Sequence, residues 1–185
     1  MLKNFPNQLT LFRIGVVPVL LVLFPLPFVG VKIFCAILFA IASFTDWLDG
    51  FIARTYQAES PLGALLDPIA DKLLMTCAIV LLTAADRMWP WMAGLFLCRE
   101  MAVSGLRLVA LQQKAPLEVS LLGKWKTLVL DMGIFGLLLD RPVWGFPMRE
   151  AGMCLCWIAL VLSVYSGWLY FVSFFRSFDW HHPKV

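Results

Sequence analysis

The sequence predicts an all-α protein, an integral membrane bundle of six transmembrane helices that forms a single domain over residues 1–185. Hydrophobic residues make up 61% of the chain, well above their share in soluble domains. Apolar stretches of the length that crosses a bilayer recur from end to end, with short polar or proline-containing turns between them. These observations exclude a soluble globular enzyme and leave no length for a second domain.

Turn and helix-start residues mark where the six predicted spans begin and end. Pro6-Asn7 marks the start of the first helix, with Asn7 as its cap. A loop over 55–62 follows the second span, and Ser60-Pro61 within it is a helix-start signal. Trp89 and Trp91 lie in the turn before the fourth span, where an aromatic belt would meet the membrane surface. The predicted spans are 9–24, 31–53, 63–85, 92–111, 123–139 and 151–174.

The distribution of basic residues predicts the orientation. Six spans place both termini on the same side of the membrane. The basic residues predicted on that side are Lys3, Arg13, Arg54, Arg107, Lys114, Lys124, Lys126, Arg176 and Lys184, against Lys32, Arg87, Arg141 and Arg149 on the other. Because lysine and arginine accumulate in cytoplasmic loops, both termini are predicted to be cytoplasmic.

Small residues and cysteines in the spans are interpreted as packing residues. All five cysteines lie in apolar segments and none forms a Cys-x2-Cys pair, which favours packing or lipid contact over a redox or metal role. Gly133, Gly136 and Gly152 have the spacing that lets helices approach closely, either within one protomer or between two.

Two places in the spans carry charge. Arg13 interrupts the first span and either extends to the membrane surface or points into a polar cavity. Arg99 and Glu100 lie deep in the fourth span and need a partner or a watery cavity. They form either a buried ion pair that fixes the packing or part of a binding site.

Four aspartates stand at the junction of the second and third spans. Asp46 and Asp49 are three residues apart and Asp67 and Asp71 are four apart, so on helices each pair shares a face. Carboxylates beside a bilayer are costly and repel one another, so a cation must lie among them. Oxygen ligands without His or Cys suit Mg²⁺, Mn²⁺ or Ca²⁺ rather than zinc. Four carboxylates are enough for two ions with shared ligands, an arrangement that clamps phosphoryl oxygens.

Two neighbours of the aspartates favour a phosphate ligand. Gly50 leaves room for a ligand to approach the backbone, and the guanidinium of Arg54 has the fork geometry that suits phosphate. The residues therefore predict metal-assisted phosphoryl chemistry at a membrane surface.

The stretch from Asp46 to Asp71 reads D-x2-D-G-x2-A-R-x8-G-x3-D-x3-D. It resembles the signature of the CDP-alcohol phosphatidyltransferases at every fixed position. The resemblance implies a membrane enzyme that transfers a phosphatidyl-type group from a CDP-linked donor to an alcohol and releases CMP. It also implies a homodimer, with the acyl chains of the donor lying in membrane lipids.

The resemblance assigns roles to the four aspartates. Asp46 and Asp67 are expected to contact both of two divalent ions, Mg²⁺ or Mn²⁺, while Asp49 completes the coordination of one ion and Asp71 that of the other. Asp71 is also expected to be the catalytic base that takes the proton of the acceptor hydroxyl, which its position near metal and nucleophile allows.

The same resemblance assigns the donor site. Gly50, Arg54 and Ser60 stand at positions that bind the CDP donor. The stretch from Pro6 to Pro18 resembles the start of the bacterial phosphatidylglycerophosphate synthases, so Asn7 and Thr10 are expected on the cytidine side of the site.

The acceptor is predicted from cations in the second half of the chain. The stretch from Arg99 to Arg107 and the run Gly123 to Thr127 also resemble the phosphatidylglycerophosphate synthases, whose acceptor is glycerol 3-phosphate. Arg99, Arg107 and Lys124 supply the positive charge that a dianionic acceptor needs. A neutral or zwitterionic acceptor would not need three cations.

Two other functions stay open. A related enzyme would use another acceptor, such as phosphatidylglycerol (as in a cardiolipin synthase), inositol phosphate or serine. A small transporter or assembly factor would use the carboxylates for ion transit, but ion pathways spread acids along the membrane depth, whereas these cluster at one edge. No nucleic-acid partner is predicted. Because no organelle-targeting extension precedes the first span, the expected location is a bacterial cytoplasmic (inner) membrane, with the site facing the cytoplasm.

Overall fold

The computed structural model describes residues 5–56, 61–112, 121–143 and 145–177. Side chains are described for 9–45, 66, 69–110, 125–143 and 145–175. These ranges form six α-helices and no β-strand, which confirms the all-α prediction. The helices are α1 (Phe5–Leu23), α2 (Val29–Tyr56), α3 (Pro61–Ala84), α4 (Pro90–Gln112), α5 (Leu121–Leu139) and α6 (Met148–Ser177).

The helix limits lie within four residues of the predicted span limits, and two of the differences change a prediction. The helix α1 begins at Phe5, so Asn7 lies in its first turn and the prediction that it caps the helix is wrong. Pro6 is tolerated in this first turn, because the first N–H groups of a helix have no partner within the helix. The predicted 55–62 loop is too long, because α2 continues to Tyr56 and α3 already begins at Pro61. No glycine or proline follows Gly50 in α2 to end it earlier.

All six helices contribute buried residues to the core. Its fully buried side chains include Leu20 of α1, Phe39 of α2, Ile79 of α3 and Leu130 of α5. The helix α1 packs against α2 and α3, whereas α4 packs mainly against α6. Three of the five cysteines are buried (Cys35, Cys77, Cys156) and two are exposed, all as free thiols.

The closest helix pair is α5 and α6, and glycines make the approach possible. A Cβ atom on Gly136 would stand 2.8 Å from the carbonyl oxygen of Met148. One on Gly133 would stand 2.7 Å from the sulfur of Cys156. The glycines predicted to pack helices therefore do so within one protomer, because no side chain fits between these backbones.

Arg87 joins several helix ends at one end of the bundle. Its guanidinium donates hydrogen bonds to the carbonyl oxygens of Leu137 (3.0 Å) and Leu138 (2.8 Å) at the end of α5. It also lies 3.0 Å from the Asp140 carboxylate and 5.2 Å from the ring centroid of Phe24, just after α1. Burial lowers the pKa of Arg87, and the charge of Asp140 opposes that shift. Arg87 thus satisfies the last carbonyl groups of α5, which otherwise have no partner within the helix.

Large apolar side chains cover the outside of the bundle. Val22, Met101, Val161 and Trp168 are each 65–77% exposed, which is typical of a surface that contacts something other than water. Within the described residues, Met148–Phe175 is long and apolar enough to cross a membrane, and Leu9–Leu23 and Val29–Thr45 are shorter apolar helical stretches. The number of spans and the side of the termini stay predictions.

The predicted aromatic turn forms a cluster of tryptophans. The rings of Trp89 and Trp91 stack with centroids 5.9 Å apart, and Trp157 of α6 contacts both, at 5.8 and 5.4 Å. All three are partly exposed. Such a cluster suits the interfacial position that the sequence predicts for this turn.

Candidate active site

Two helices that follow one another carry the four aspartates. Asp46 and Asp49 lie on α2, and Asp67 and Asp71 lie on α3. Since both segments are helical, the spacings of three and four residues place each pair on one helix face, as predicted. Only the side chain of Asp71 is among those described, and it is half-buried.

Several predicted site residues lie outside what the structure describes. Ser60 is outside the described residues altogether. The backbones of the others are helical, on α1, α2, α3 and α5, but their side chains are not described: Asn7, Asp46, Asp49, Gly50, Arg54, Asp67 and Lys124. Their roles stay predictions.

A largely buried ion pair joins α4 and α5. The ammonium group of Lys126 lies 2.7 Å from Oε2 of Glu100. Lys126 is only 4% exposed, so its charge is held inside the protein and needs this carboxylate. The charge of Asp71 on α3 also acts on Lys126, and that of Lys72 acts on Glu100. The pair therefore joins the body of α4 to the first half of α5.

Arg99 ties the same carboxylate to α6. Its Nη1 atom lies 3.1 Å from Oε2 of Glu100, so one carboxylate oxygen accepts from both cations. Its Nε atom donates to the carbonyl oxygen of Ser163 at 3.0 Å, and Nη2 donates to Oγ of Ser166 at 2.8 Å. Of the two interpretations of Arg99 and Glu100, the structure thus shows the ion pair that fixes the packing, and this pair is partly buried. A role of Arg99 toward the acceptor stays a prediction.

Arg107 contacts an aromatic residue of α6 two helical turns further along α4. Its Nη2 atom donates to the hydroxyl oxygen of Tyr170 at 3.4 Å, and the guanidinium carbon lies 5.9 Å from the ring centroid. Tyr170 is buried, whereas Arg107 is exposed. The ring thus supports a guanidinium that stays open to a ligand.

Two residues of α1 face the interior. Thr10 and Arg13 are both fully buried. Arg13 therefore does not extend to the surface, and its placement in a polar cavity stays a prediction. Thr10 is predicted on the cytidine side of the site, and its burial places it on the inner face of α1.

Sequence reasoning missed the Glu100–Lys126 pair, although a signal was present. Lys126 precedes Leu130, Ile134 and Leu137, which are all fully buried, at intervals of four, eight and eleven residues. This spacing places Lys126 on the inner stripe of α5. The neighbouring Trp125 is 61% exposed. The contacts of Ser163, Ser166 and Tyr170 had no comparable signal.

The donor set fits a hard divalent cation. All four predicted ligands are carboxylates on adjacent helices, which is the chemistry that Mg²⁺ and Mn²⁺ prefer. Among the side chains that the structure describes, no three acidic, histidine or cysteine residues are grouped closely enough to hold a metal. Asp71 is the only predicted ligand in that set.

Comparison with known proteins assigns the family. The family profile of the CDP-alcohol phosphatidyltransferases matches residues 3–165. The chain belongs to the CDP-alcohol phosphatidyltransferase family. The matched range contains the whole Asp46–Asp71 signature, so family membership and the signature agree.

Curated members of this family are similar over nearly the whole chain. A protein of Salmonella choleraesuis is 38% identical over 168 residues, which cover 88% of this chain and 90% of the relative. A protein of Bacillus subtilis is 37% identical over 183 residues, with 91% and 93% covered. Both are named CDP-diacylglycerol–glycerol-3-phosphate 3-phosphatidyltransferase.

Tyr170 lies beyond the range that the family profile matches.

Proposed function

We propose that this chain is a membrane-bound CDP-diacylglycerol–glycerol-3-phosphate 3-phosphatidyltransferase. It transfers the phosphatidyl group from CDP-diacylglycerol to glycerol 3-phosphate and releases CMP. The observation that carries the proposal is the similarity, over about nine-tenths of each chain, to relatives from two bacteria that bear this name. The intact signature from Asp46 to Asp71 supports it.

The four aspartates are proposed to hold two divalent ions, Mg²⁺ or Mn²⁺. When bound, such ions would supply positive charge against the pyrophosphate of the donor and the leaving CMP. Asp46 and Asp49 would approach from the end of α2, and Asp67 and Asp71 from the start of α3. The short connection between these helices favours a common site.

Asp71 is proposed as the general base. Its carboxylate would take the proton of the acceptor hydroxyl, and the hydroxyl oxygen would form a bond to the phosphorus of the phosphatidyl group. The bond between that phosphorus and the bridging oxygen of CMP would break, and CMP would leave with the electron pair. Gly50, Arg54 and Ser60, with Asn7 and Thr10 of α1, are proposed to hold the CDP part of the donor.

Arg107 is the best supported of the three predicted acceptor cations. Its guanidinium is exposed and braced by Tyr170, so its remaining N–H groups are available to a phosphate. Arg99 already uses three of its N–H groups within the protein, which leaves it a smaller share in binding. Lys124 is proposed as the third cation, from α5.

The membrane arrangement is proposed from the same observations. Six spans with both termini in the cytoplasm would place the site where nucleotides and sugar phosphates are found. The exposed apolar side chains and the apolar helix Met148–Phe175 support a lipid-embedded bundle in a bacterial inner membrane. A homodimer is proposed from the family resemblance.

The test is CMP release by the purified protein in detergent with CDP-diacylglycerol and Mg²⁺. Glycerol 3-phosphate, phosphatidylglycerol, inositol phosphate and serine are compared as acceptors, each with and without a chelator. Release that requires glycerol 3-phosphate and disappears with the chelator is expected. Chelator-sensitive release with another acceptor would reject the proposed acceptor but retain the metal site.

A further inference from the structure

The carboxylate of Glu100 uses only one of its two oxygens inside the protein. Oε2 accepts a hydrogen bond from Nη1 of Arg99 at 3.1 Å and another from Nζ of Lys126 at 2.7 Å. Within the described part of the chain, no group donates to the other oxygen, Oε1, and that atom is not buried. Because each carboxylate oxygen can accept about two hydrogen bonds, Oε1 is free to accept from a ligand.

This free oxygen lies beside an ion pair that bridges two separated helices. In the described ranges, no Cα atom of α4 lies within 8 Å of a Cα atom of α5, so side chains alone connect these helices. The Glu100 side chain is 23% exposed, whereas that of Lys126 is 6% exposed. Lys126 therefore anchors the carboxylate from the α5 side, and the carboxylate itself can be reached from the space between the helices.

Two cations make this carboxylate compatible with a phosphate-bearing substrate. A lone carboxylate would repel the phosphate of an acceptor, but one arginine and one lysine against one glutamate leave the cluster with a single net positive charge. Arg99 is itself fixed to α6, through the carbonyl oxygen of Ser163 and the hydroxyl of Ser166. The position of Oε1 is therefore set by contacts to both α5 and α6.

Glu100 shares a face of α4 with Arg107, the best supported acceptor cation. The two residues are seven positions apart, which is almost two full turns of a helix. Long helical side chains lean toward the N-terminal end of their helix, and Glu100 lies on that side of Arg107. Since Arg107 is exposed, this face of α4 offers an arginine for the phosphate and, further along, a carboxylate oxygen for another part of the same ligand.

We infer that Glu100 is a specificity-determining residue, whose Oε1 accepts a hydrogen bond from the hydroxyl of glycerol 3-phosphate that does not react. The acceptor carries two hydroxyls, and only one of them attacks the donor. An ionised carboxylate has no donor of its own, so its ligand must supply an O–H or N–H group. The inference rests on the proposed function, since it takes glycerol 3-phosphate as the acceptor.

The consequence is a preference for an acceptor that has both hydroxyls. A site built to bond a substrate hydroxyl rejects analogues that lack it, because its polar group is then left without a partner. If the Glu100 ion pairs served only the packing, their loss would reduce the activity with every acceptor by the same factor. The ratio between two acceptors therefore distinguishes recognition from packing.

The experiment compares kcat/KM for glycerol 3-phosphate with that for 3-hydroxypropyl phosphate and 2-hydroxypropyl phosphate, by CMP release from the full-length protein in detergent. Each analogue lacks one hydroxyl, and the analogue that still reacts has kept the attacking one. The wild type should prefer glycerol 3-phosphate over that analogue by about tenfold to a hundredfold, the range of a hydrogen bond to a charged group. In Glu100→Met the preference should fall to about twofold or less.

Inhibition gives the same information if neither analogue reacts. The inhibition constants of the two analogues against glycerol 3-phosphate should then differ by the same factor in the wild type, because only one of them keeps the bound hydroxyl. Glu100→Met should remove that difference.

Lys126→Met is the matched control. It removes the other half of the ion pair but keeps the carboxylate on Arg99, so the wild-type preference should remain while stability falls. The ratio does not depend on the folded fraction, since both acceptors are measured on one preparation. If Glu100→Met does not fold, Glu100→Met/Lys126→Met removes the unpaired ammonium as well, a change that proteins often tolerate, and should show the same loss of preference.

Three outcomes would overturn the inference alone. They are an unchanged ratio in the variants that lack Glu100, an equal loss of preference in Lys126→Met, and a wild type that shows no preference between the acceptors. CMP release that does not require glycerol 3-phosphate would overturn the proposed acceptor and this inference with it.

Discussion

Gly152 of α6 lies directly against Gly133 of α5. A Cβ atom on Gly152 would stand 2.9 Å from the carbonyl oxygen of Gly133 and equally close to the backbone nitrogen of Leu137. Both neighbours are backbone atoms, which cannot move aside as a flexible side chain can. The two helices therefore touch through their backbones, and α6, which carries Ser163, Ser166 and Tyr170, is held at a defined distance from α5.

Gly152→Ala should lower the stability of the protein. The added methyl group forces α5 and α6 apart, and overpacking of this kind costs about 1–3 kcal/mol. Thermal unfolding in detergent measures the effect. The matched control is Gly94→Ala in α4, where no atom lies within 4 Å of the added Cβ. Equal melting temperatures for the two variants would contradict the close approach.

Arg87→Met should destabilise the end of the bundle. It leaves the Asp140 carboxylate and the carbonyl oxygens of Leu137 and Leu138 without the donor that they share. Loss of one partner of a buried ion pair typically costs about 3–5 kcal/mol. Because Arg149 also lies 3.4 Å from Asp140, the lower part of this range is expected, measured by thermal unfolding.

The control for Arg87 is an arginine at the same end of the bundle. Arg141 is exposed, so Arg141→Met should change the melting temperature little. A comparable loss in both variants would show that net charge, rather than the Arg87 contacts, stabilises this end.

Each of the four aspartates should be required for transfer. Asp46→Asn, Asp49→Asn, Asp67→Asn and Asp71→Asn should each abolish CMP release without unfolding the protein. For Asp71, loss of a general base alone accounts for about 10²–10⁴ in rate. Asp86→Asn is the control, since Asp86 is exposed in the turn before α4. Wild-type activity in two of the four variants would reject the two-metal site.

Arg107 should act on the acceptor rather than on the donor. Arg107→Ala should raise the KM for glycerol 3-phosphate far more than the KM for CDP-diacylglycerol, because a phosphate loses a charge-assisted hydrogen bond. Steady-state kinetics with each substrate varied in turn measures both constants. An equal rise in the two would move Arg107 out of the acceptor site.

Tyr170 should influence the KM for glycerol 3-phosphate through its contact with Arg107. Tyr170→Phe removes the 3.4 Å hydrogen bond but keeps the ring, so a rise of about twofold to fivefold in the acceptor KM is expected. Tyr170→Leu also removes the ring under the guanidinium and should have the larger effect. Tyr165→Phe is the matched control, since Tyr165 is 54% exposed on the same helix. Identical kinetics for Tyr170→Phe and Tyr170→Leu would exclude support by the ring.

Local sequence patterns predicted most of the secondary structure. The six helices follow from apolar stretches and turn residues, and Pro61 begins α3 as its helix-start signal predicted. The errors fall at helix ends, where Phe5 extends α1 and Tyr56 extends α2. Such ends depend on a balance of weak local preferences, which a sequence pattern does not resolve to the residue.

The partners of the charged residues could not be predicted in the same way. The sequence allowed Arg13 either a surface or an interior position, and its burial depends on which face of α1 packs against the other helices. It also suggested Lys124 and left Lys126 aside, although Lys126 is the lysine that pairs with Glu100. Contacts between helices depend on the rotation of each helix about its own axis. This rotation is set by how the helices pack against one another.

By itself, the sequence determined the family, the four aspartates and the order of the helices, because these depend on residue type and spacing along one chain. The tertiary structure alone decided that Gly133 and Gly152 pack within one protomer, that Arg99 is tied to α6, and that Glu100 holds Lys126. These relations join residues that are between 19 and 67 positions apart or on different helices. They exist only once apolar burial and close backbone contact have fixed how the helices face one another.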